Sequence, residues 1–245
     1  MKITALAALI FCITSTAALA DATVTVTQTS GAAPLTITGA KKLADVVSQP
    51  ALARTWWPGA VISERQATAV AEQQHQQLLN TLRQLAAEEG GDDGAAINSL
   101  RNQLAAIKVT GRQRVNLDPD WVRVRPQYNV PVEGQYHLWV GERPSTVTLM
   151  GLINKPGRVT FSSGRSVVDY LDDVSLLSGA ERSYAWIIYP DGRTEKTPVA
   201  YWNRRHVEPM PGSIIFVGFA DSLFSSTWDD LNAQILRSLT HRIPD

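Results

Sequence analysis

Thiols are almost absent from this chain. Its 245 residues hold a single cysteine, Cys12. That residue falls in an N-terminal stretch that reads as a secretory leader. Lys2 supplies a minimal positive start, Ile3 to Ala17 is apolar, and Ala18-Leu19-Ala20 is a small-x-small cleavage site before Asp21. Phe11 is too bulky to precede a lipid-modified cysteine, so cleavage is expected after Ala20. The exported chain then has no thiol. Disulfides, a cysteine nucleophile and a thiolate metal site are excluded.

Histidine and net charge are also scarce. The four histidines are His75, His137, His206 and His241, and no two stand at metal-ligand spacing. His75 lies among glutamines and is expected to be a solvated surface residue. Basic and acidic residues balance at 23 each, which leaves no cationic excess for nucleic acid. Beyond the leader no stretch is long and apolar enough to span a bilayer. Gly-x-Ser-x-Gly, the P-loop pattern and His-Glu-x-x-His are missing. The paired carboxylates Asp118-Pro119-Asp120 and Asp172-Asp173 read as turn and helix-end polarity. Glycosidase carboxylates can stand far apart in sequence, so that chemistry stays open as an alternative. No cofactor is implied.

What the chain has is a repeated plan. Thr146 to Leu171 combines an apolar run, a Pro156-Gly157 turn, a second alternating run and a short amphipathic helix at Val167, Val168 and Leu171. The strand-like runs at Thr23–Thr27 and Leu35–Ile37, followed by Leu43, Val46 and Val47 at helical spacing, form a weaker copy. Each half also closes on a Gly-led strand, Gly134 to Gly141 and Gly212 to Gly218. The pattern predicts an α/β (α+β) fold of two tandem β-grasp modules, each a small mixed sheet crossed by a helix.

Residues 62–107 interrupt the first module. Gln, Glu and Ala dominate, with Leu78, Leu79, Leu82 and Leu85 on one face, a Gly90-Gly91 stop, and then Ile97, Leu100, Leu104 and Ile107. This predicts a helical hairpin that packs mainly on itself and on one side of a module. Trp121 to Arg125 alternates and predicts a strand with Val122 and Val124 facing the core. The boundaries expected are 1–20 leader, 21–143 first domain with the 62–107 insertion, 144–220 second domain, and 221–245 a C-terminal amphipathic helix. The helix stripe is Trp228, Leu231, Ile235, Leu236 and Leu239. Packing of that stripe on its own protein is the default expectation.

Candidate binding residues are arginines and tryptophans. Arg112 and Arg114 sit where the chain re-enters the first module. Arg204 and Arg205 follow Trp202 in a polar loop. An arginine fork suits carboxylate, phosphate or sugar oxygens, and beside tryptophan it makes a surface on which sugars stack. In Trp56-Trp57-Pro58-Gly59 one tryptophan is expected to pack on the module and the other, with Trp57 the candidate, to form a platform, against the reading that both are structural. Against this, the arginines could simply bridge modules or cap loop carbonyls.

The order of motifs resembles the capsule biosynthesis GfcC family, encoded with group 4 capsule and O-antigen capsule export genes. Carrying the resemblance are Trp-Trp-Pro-Gly-Ala (56–60), Thr-Gly-Arg (110–112), Leu-Asp-Pro-Asp (117–120), Trp-Asn-Arg-Arg-His-Val-Glu-Pro (202–209), Asp-Leu-Asn (230–232) and the terminal Pro-Asp. It covers essentially the whole exported chain. The resemblance implies a soluble periplasmic protein without enzymatic activity, with β-grasp domains like those of outer-membrane polysaccharide export proteins. The partners implied are capsular polysaccharide or the export protein. A monomer is expected. The family's notable pocket arginine corresponds to Arg112. Two other readings stay open beside it: a structural interaction module that binds no glycan, and a glycan-processing enzyme.

Overall fold

The computed structural model describes residues 21–29, 31–220 and 227–244. The expected leader, with Cys12, lies outside them. The architecture is mixed α/β with two multi-strand sheets.

In the first sheet β1 (Ala22–Gln28) pairs antiparallel with β2 (Leu35–Ala40) and parallel with β4 (Gln135–Val140), and β3 (Val61–Glu64) closes the order β2-β1-β4-β3. The Val-Thr alternation sends Ala22, Val24 and Val26 to one face, where they are fully buried with Leu138. They meet Leu43, Val46 and Val47 of α1 (Leu43–Val47), Leu52 and Val122. In the second sheet β5 (Thr146–Gly151) pairs antiparallel with β6 (Gly157–Thr160) and parallel with β9 (Ile214–Val217). The hairpin β7 (Tyr184–Ile188) and β8 (Thr194–Pro198) completes the order β6-β5-β9-β7-β8. A short helix, α5 (Val167–Leu171), follows the first hairpin as α1 does, opened by a Ser166–Asp169 capping box. Both sheets therefore run hairpin, helix, and a later strand returning parallel to the first.

In the chain between β3 and β4 lie α2 (Arg65–Glu89) and α3 (Gly91–Ala105). Leu78, Leu82 and Ala86 meet Ala96, Ile97, Leu100 and Leu104, as the leucine spacing predicts. This seam belongs to the hydrophobic core of the second sheet. The C-terminal helix α6 (Thr227–Thr240) joins the same core through Leu231, Ile235 and Leu239, each at most 2% exposed, and Trp228 stacks on Phe219 at 4.7 Å. Its apolar stripe is thus covered by its own chain.

Four local readings change. Trp121–Arg125 is not a strand but lies in and just after α4 (Pro119–Val124). Asp118 caps that helix by accepting the Asp120 N–H at 2.9 Å, and Pro119 fills the first helical position, where a missing N–H costs nothing. Val122 is buried but Val124 is 66% exposed. Residues 61–64 pair in the first sheet, so α2 starts at Arg65 rather than Ile62. Gly91 to Asp93, read as loop, open α3, and only Gly90 (φ +62°) separates the two helices. His75 is buried at 5% exposure, with Nδ1 2.7 Å from Ser238 Oγ of α6. The glutamine-rich sequence around it hid the fact that α6 covers this side of α2.

Candidate functional site

A cleft of about 1090 Å3 lies between the two sheets. One wall is the outer face of the first sheet, carrying Thr27 and Trp139 on the side opposite Val26 and Leu138. The other is the β5–β6 end of the second sheet, with Thr148 and Arg158. The end of α3 and the segment 242–244 close it.

Arg112 is the residue that joins these walls. Its backbone belongs to the first sheet, bridging Ser63 of β3, while Gln113 N–H donates to the Ile62 carbonyl at 2.8 Å. The two preceding residues set its position. Thr110 and Gly111 lie against the first turn of α2, where the Gly111 N–H donates to Thr68 Oγ1 at 3.1 Å. A Cβ at Gly111 would strike the backbone of Ala67 and Thr68, so only glycine allows this approach. From there the side chain crosses to the β7–β8 turn, and Nη1 donates to the Pro190 carbonyl at 2.8 Å. Gly192, at φ +87°, provides the floor beneath it: a Cβ there would stand 2.8 Å from Nη1.

Arg112 is 9% exposed, and its buried Nε has no hydrogen-bond partner. Burial, followed by the positive charge of Arg242, pushes its pKa down to about 10. Asp191, whose charge acts in the opposite direction, is bonded to Arg193 Nε at 2.7 Å.

The aromatic lining is Trp56 and Trp139. The Trp56 backbone N–H donates to the Gly141 carbonyl at 2.9 Å, and its ring lies over Gly59, where a Cβ would come within 2.6 Å. Trp139 stacks on His137 at 4.0 Å and 13°. His137 bonds Thr27 Oγ1 at 2.8 Å, and burial lowers its pKa.

Of the sequence candidates, the structure brings only Arg112 into the cleft lining. Arg114 is exposed and is not among the lining residues, although its charge acts on Arg112, and Trp57 is half-buried against the core of the first sheet, so its neighbour Trp56 takes the cleft position. Trp202 is 74% exposed on a separate loop with Tyr201, Arg204 and Arg205, and the Arg204 guanidinium lies 5.8 Å from the Tyr201 ring. Arg143, Arg158 and Arg242 line the cleft and were not singled out by sequence. Arg242 was readable only as a helix-end cation, and the other two as linker and hairpin polarity.

Nothing in this geometry is a catalytic set. Asp118 and Asp120 are spent on capping α4 and on Arg123, 2.9 Å away. Among the described residues no group of three His, Cys, Asp or Glu side chains could hold a metal ion, and no helix is long and apolar enough to cross a membrane.

Residues 20–143 match the family model "Capsule biosynthesis GfcC, N-terminal", and residues 155–244 match "Capsule biosynthesis GfcC C-terminal". The chain belongs to the capsule biosynthesis GfcC family. It is also 59% identical over 237 residues, 97% of each chain, to the uncharacterized protein YjbG of Escherichia coli (strain K12). Membership gives this GfcC protein a non-enzymatic accessory role in capsule biosynthesis. The match of both family models places the cleft where the parts they cover meet: Trp56, Arg112 and Trp139 in the first, Arg158 and Arg242 in the second.

Proposed function

We propose that this protein is a periplasmic accessory factor that holds capsular polysaccharide in the cleft between its sheets during export. The observation that carries the proposal is the pairing of Trp56 and Trp139 with Arg112 in one cleft of about 1090 Å3. Tryptophan faces stack on the apolar faces of sugar rings, and a positioned guanidinium fixes their oxygens. A cleft of this volume is of the size that takes a small ligand or a short stretch of chain. The leader-like start of the sequence supports the periplasmic location.

The same proposal reads each sheet as a β-grasp domain, with boundaries at 21–143 and 144–220, the hairpin inserted in the first and residues 221–245 as the tail. The common hairpin-helix plan and the parallel return strands, β4 on β1 and β9 on β5, support it. The test is calorimetric titration with oligosaccharide released from the producing strain's capsule. Wild type is expected to bind, and Trp56→Ala to bind about tenfold more weakly. Absence of binding at millimolar oligosaccharide overturns the proposal.

A second reading rests on the loop after β8. Tyr201 and Trp202 are 88% and 74% exposed beside Arg204 and Arg205. Exposed aromatics beside arginine are the composition of a docking anchor, here for the outer-membrane polysaccharide export protein. Trp202→Ala would then lose co-purification with that protein while leaving glycan titration unchanged.

A further inference from the structure

The whole chain carries as many acidic as basic residues, yet the cleft is strongly cationic. Lys108, Arg112, Arg143, Arg158 and Arg242 line it, and Glu142 is the one carboxylate among the described lining residues. In a neutral protein such a concentration of one sign creates a local field that favours an anion and raises its encounter rate. Long-range charge alone would be a weak argument, because Lys108 and Arg143 are exposed and screened by salt.

Arg112 makes it a strong one. An arginine that is 9% exposed normally has a carboxylate beside its guanidinium, because a buried charge without a partner is costly. Here it has one neutral carbonyl, Pro190, and a buried Nε with no acceptor. Asp191 is near enough for its charge to act on Arg112, but its hydrogen bonds go to Arg193. With a single neutral acceptor, the guanidinium keeps donor capacity for an oxyanion, since arginine forks recognise both carboxylate and phosphate oxygens.

Resting on the glycan-binding reading above, we propose that the cleft selects an anionic saccharide, with Arg112 as the recognition point for a carboxylate or phosphate borne on the sugar, and with Trp56 and Trp139 stacking on the rings beside it.

The test compares three forms of the released capsular oligosaccharide: native, carboxyl-reduced, and dephosphorylated with hydrofluoric acid. The proposal expects a tenfold or larger loss on one of the two treatments, and which one identifies the oxyanion. It expects the native affinity to fall with added salt. Arg112→Gln should lose most of the discrimination between native and neutralised forms. Lys108→Gln/Arg143→Gln, confined to exposed positions and therefore safe for folding, should weaken native binding and flatten its salt dependence. Equal, salt-independent binding of all three forms overturns the anionic selection and leaves the glycan reading intact. If no form binds, the glycan reading fails and this proposal fails with it.

Discussion

Arg112 costs the fold something. Burial pushes the pKa of its guanidinium down to about 10, so the charged form is disfavoured in the folded state, and the cost holds at every pH below about 10. Methionine at this position keeps most of the volume and removes the charge, but gives up the bond to Pro190. Arg112→Met is therefore expected to be more stable than wild type by about 1–2 kcal/mol, read as a higher midpoint of chemical unfolding. A lower midpoint would show that the guanidinium is structural. Gly192→Ala acts oppositely: it strains a backbone at φ +87° and pushes a methyl into Nη1, for an expected loss of about 1–3 kcal/mol. His75 adds a pH dependence. Burial lowers its folded pKa below 6.5, so the folded state binds fewer protons than the unfolded one. Its contribution is present above pH 6.5 and is lost as pH falls through the folded value. His137 acts in the same sense. Thermal unfolding between pH 7.5 and 5 should fall less steeply for His75→Asn than for wild type.

Among the elements, two helices reach into the second sheet by the same device. Gln103 of α3 donates to the Gly151 carbonyl and accepts its N–H, both at 2.9 Å. Asn232 of α6 makes the same pair with Phe219, again at 2.9 Å each way. Each side-chain amide imitates a neighbouring strand for one residue and satisfies backbone groups that the ladder leaves over. Gln103→Leu strands both groups of buried Gly151, and a loss of about 2–3 kcal/mol is expected in urea unfolding. Sequence could not show this, because a glutamine on the polar side of a helix has no periodic signature. The elements themselves were largely legible. Val24 and Val26 alternate with threonine, and Leu78, Leu82, Ile97, Leu100 and Leu104 mark the hairpin seam. The failure at Trp121–Arg125 is a conflict of signals: a five-residue alternation competed with an Asp-Pro helix start, and the cap decided it. Trp121 in the helix and Arg125 just past its end then stack at 4.0 Å. The cleft was the least legible feature. Sequence pointed to Arg112, but its companions come from segments that only the tertiary fold brings together.

At the scale of the molecule, the hairpin encoded between two strands of the first sheet spends its apolar seam on the core of the second. The tail makes the reciprocal tie: Val109 and Arg242 form a bridge, Thr110 N–H donates to the His241 carbonyl at 2.8 Å, and Ile243 N–H donates to that of Lys108 at 2.8 Å. Two sheets stitched in both directions should unfold as one unit. Tryptophan fluorescence, which samples both halves, and far-ultraviolet dichroism are expected to give coincident transitions. Residues 144–245 expressed alone should be insoluble, because they lack the cover of Leu78, Leu82, Leu100 and Leu104.

That last tie has a consequence for when the cleft exists. His241 meets Thr110 across 131 residues of chain, and residues 242–244 form part of the cleft wall. A pairing so distant in sequence forms late, since the long loop must close before the contact rewards it. The first sheet can be complete while the cleft is still open on one side. Closure of the cleft is thus a final event of folding, and a chain cut short before residue 240 lacks that part of its wall.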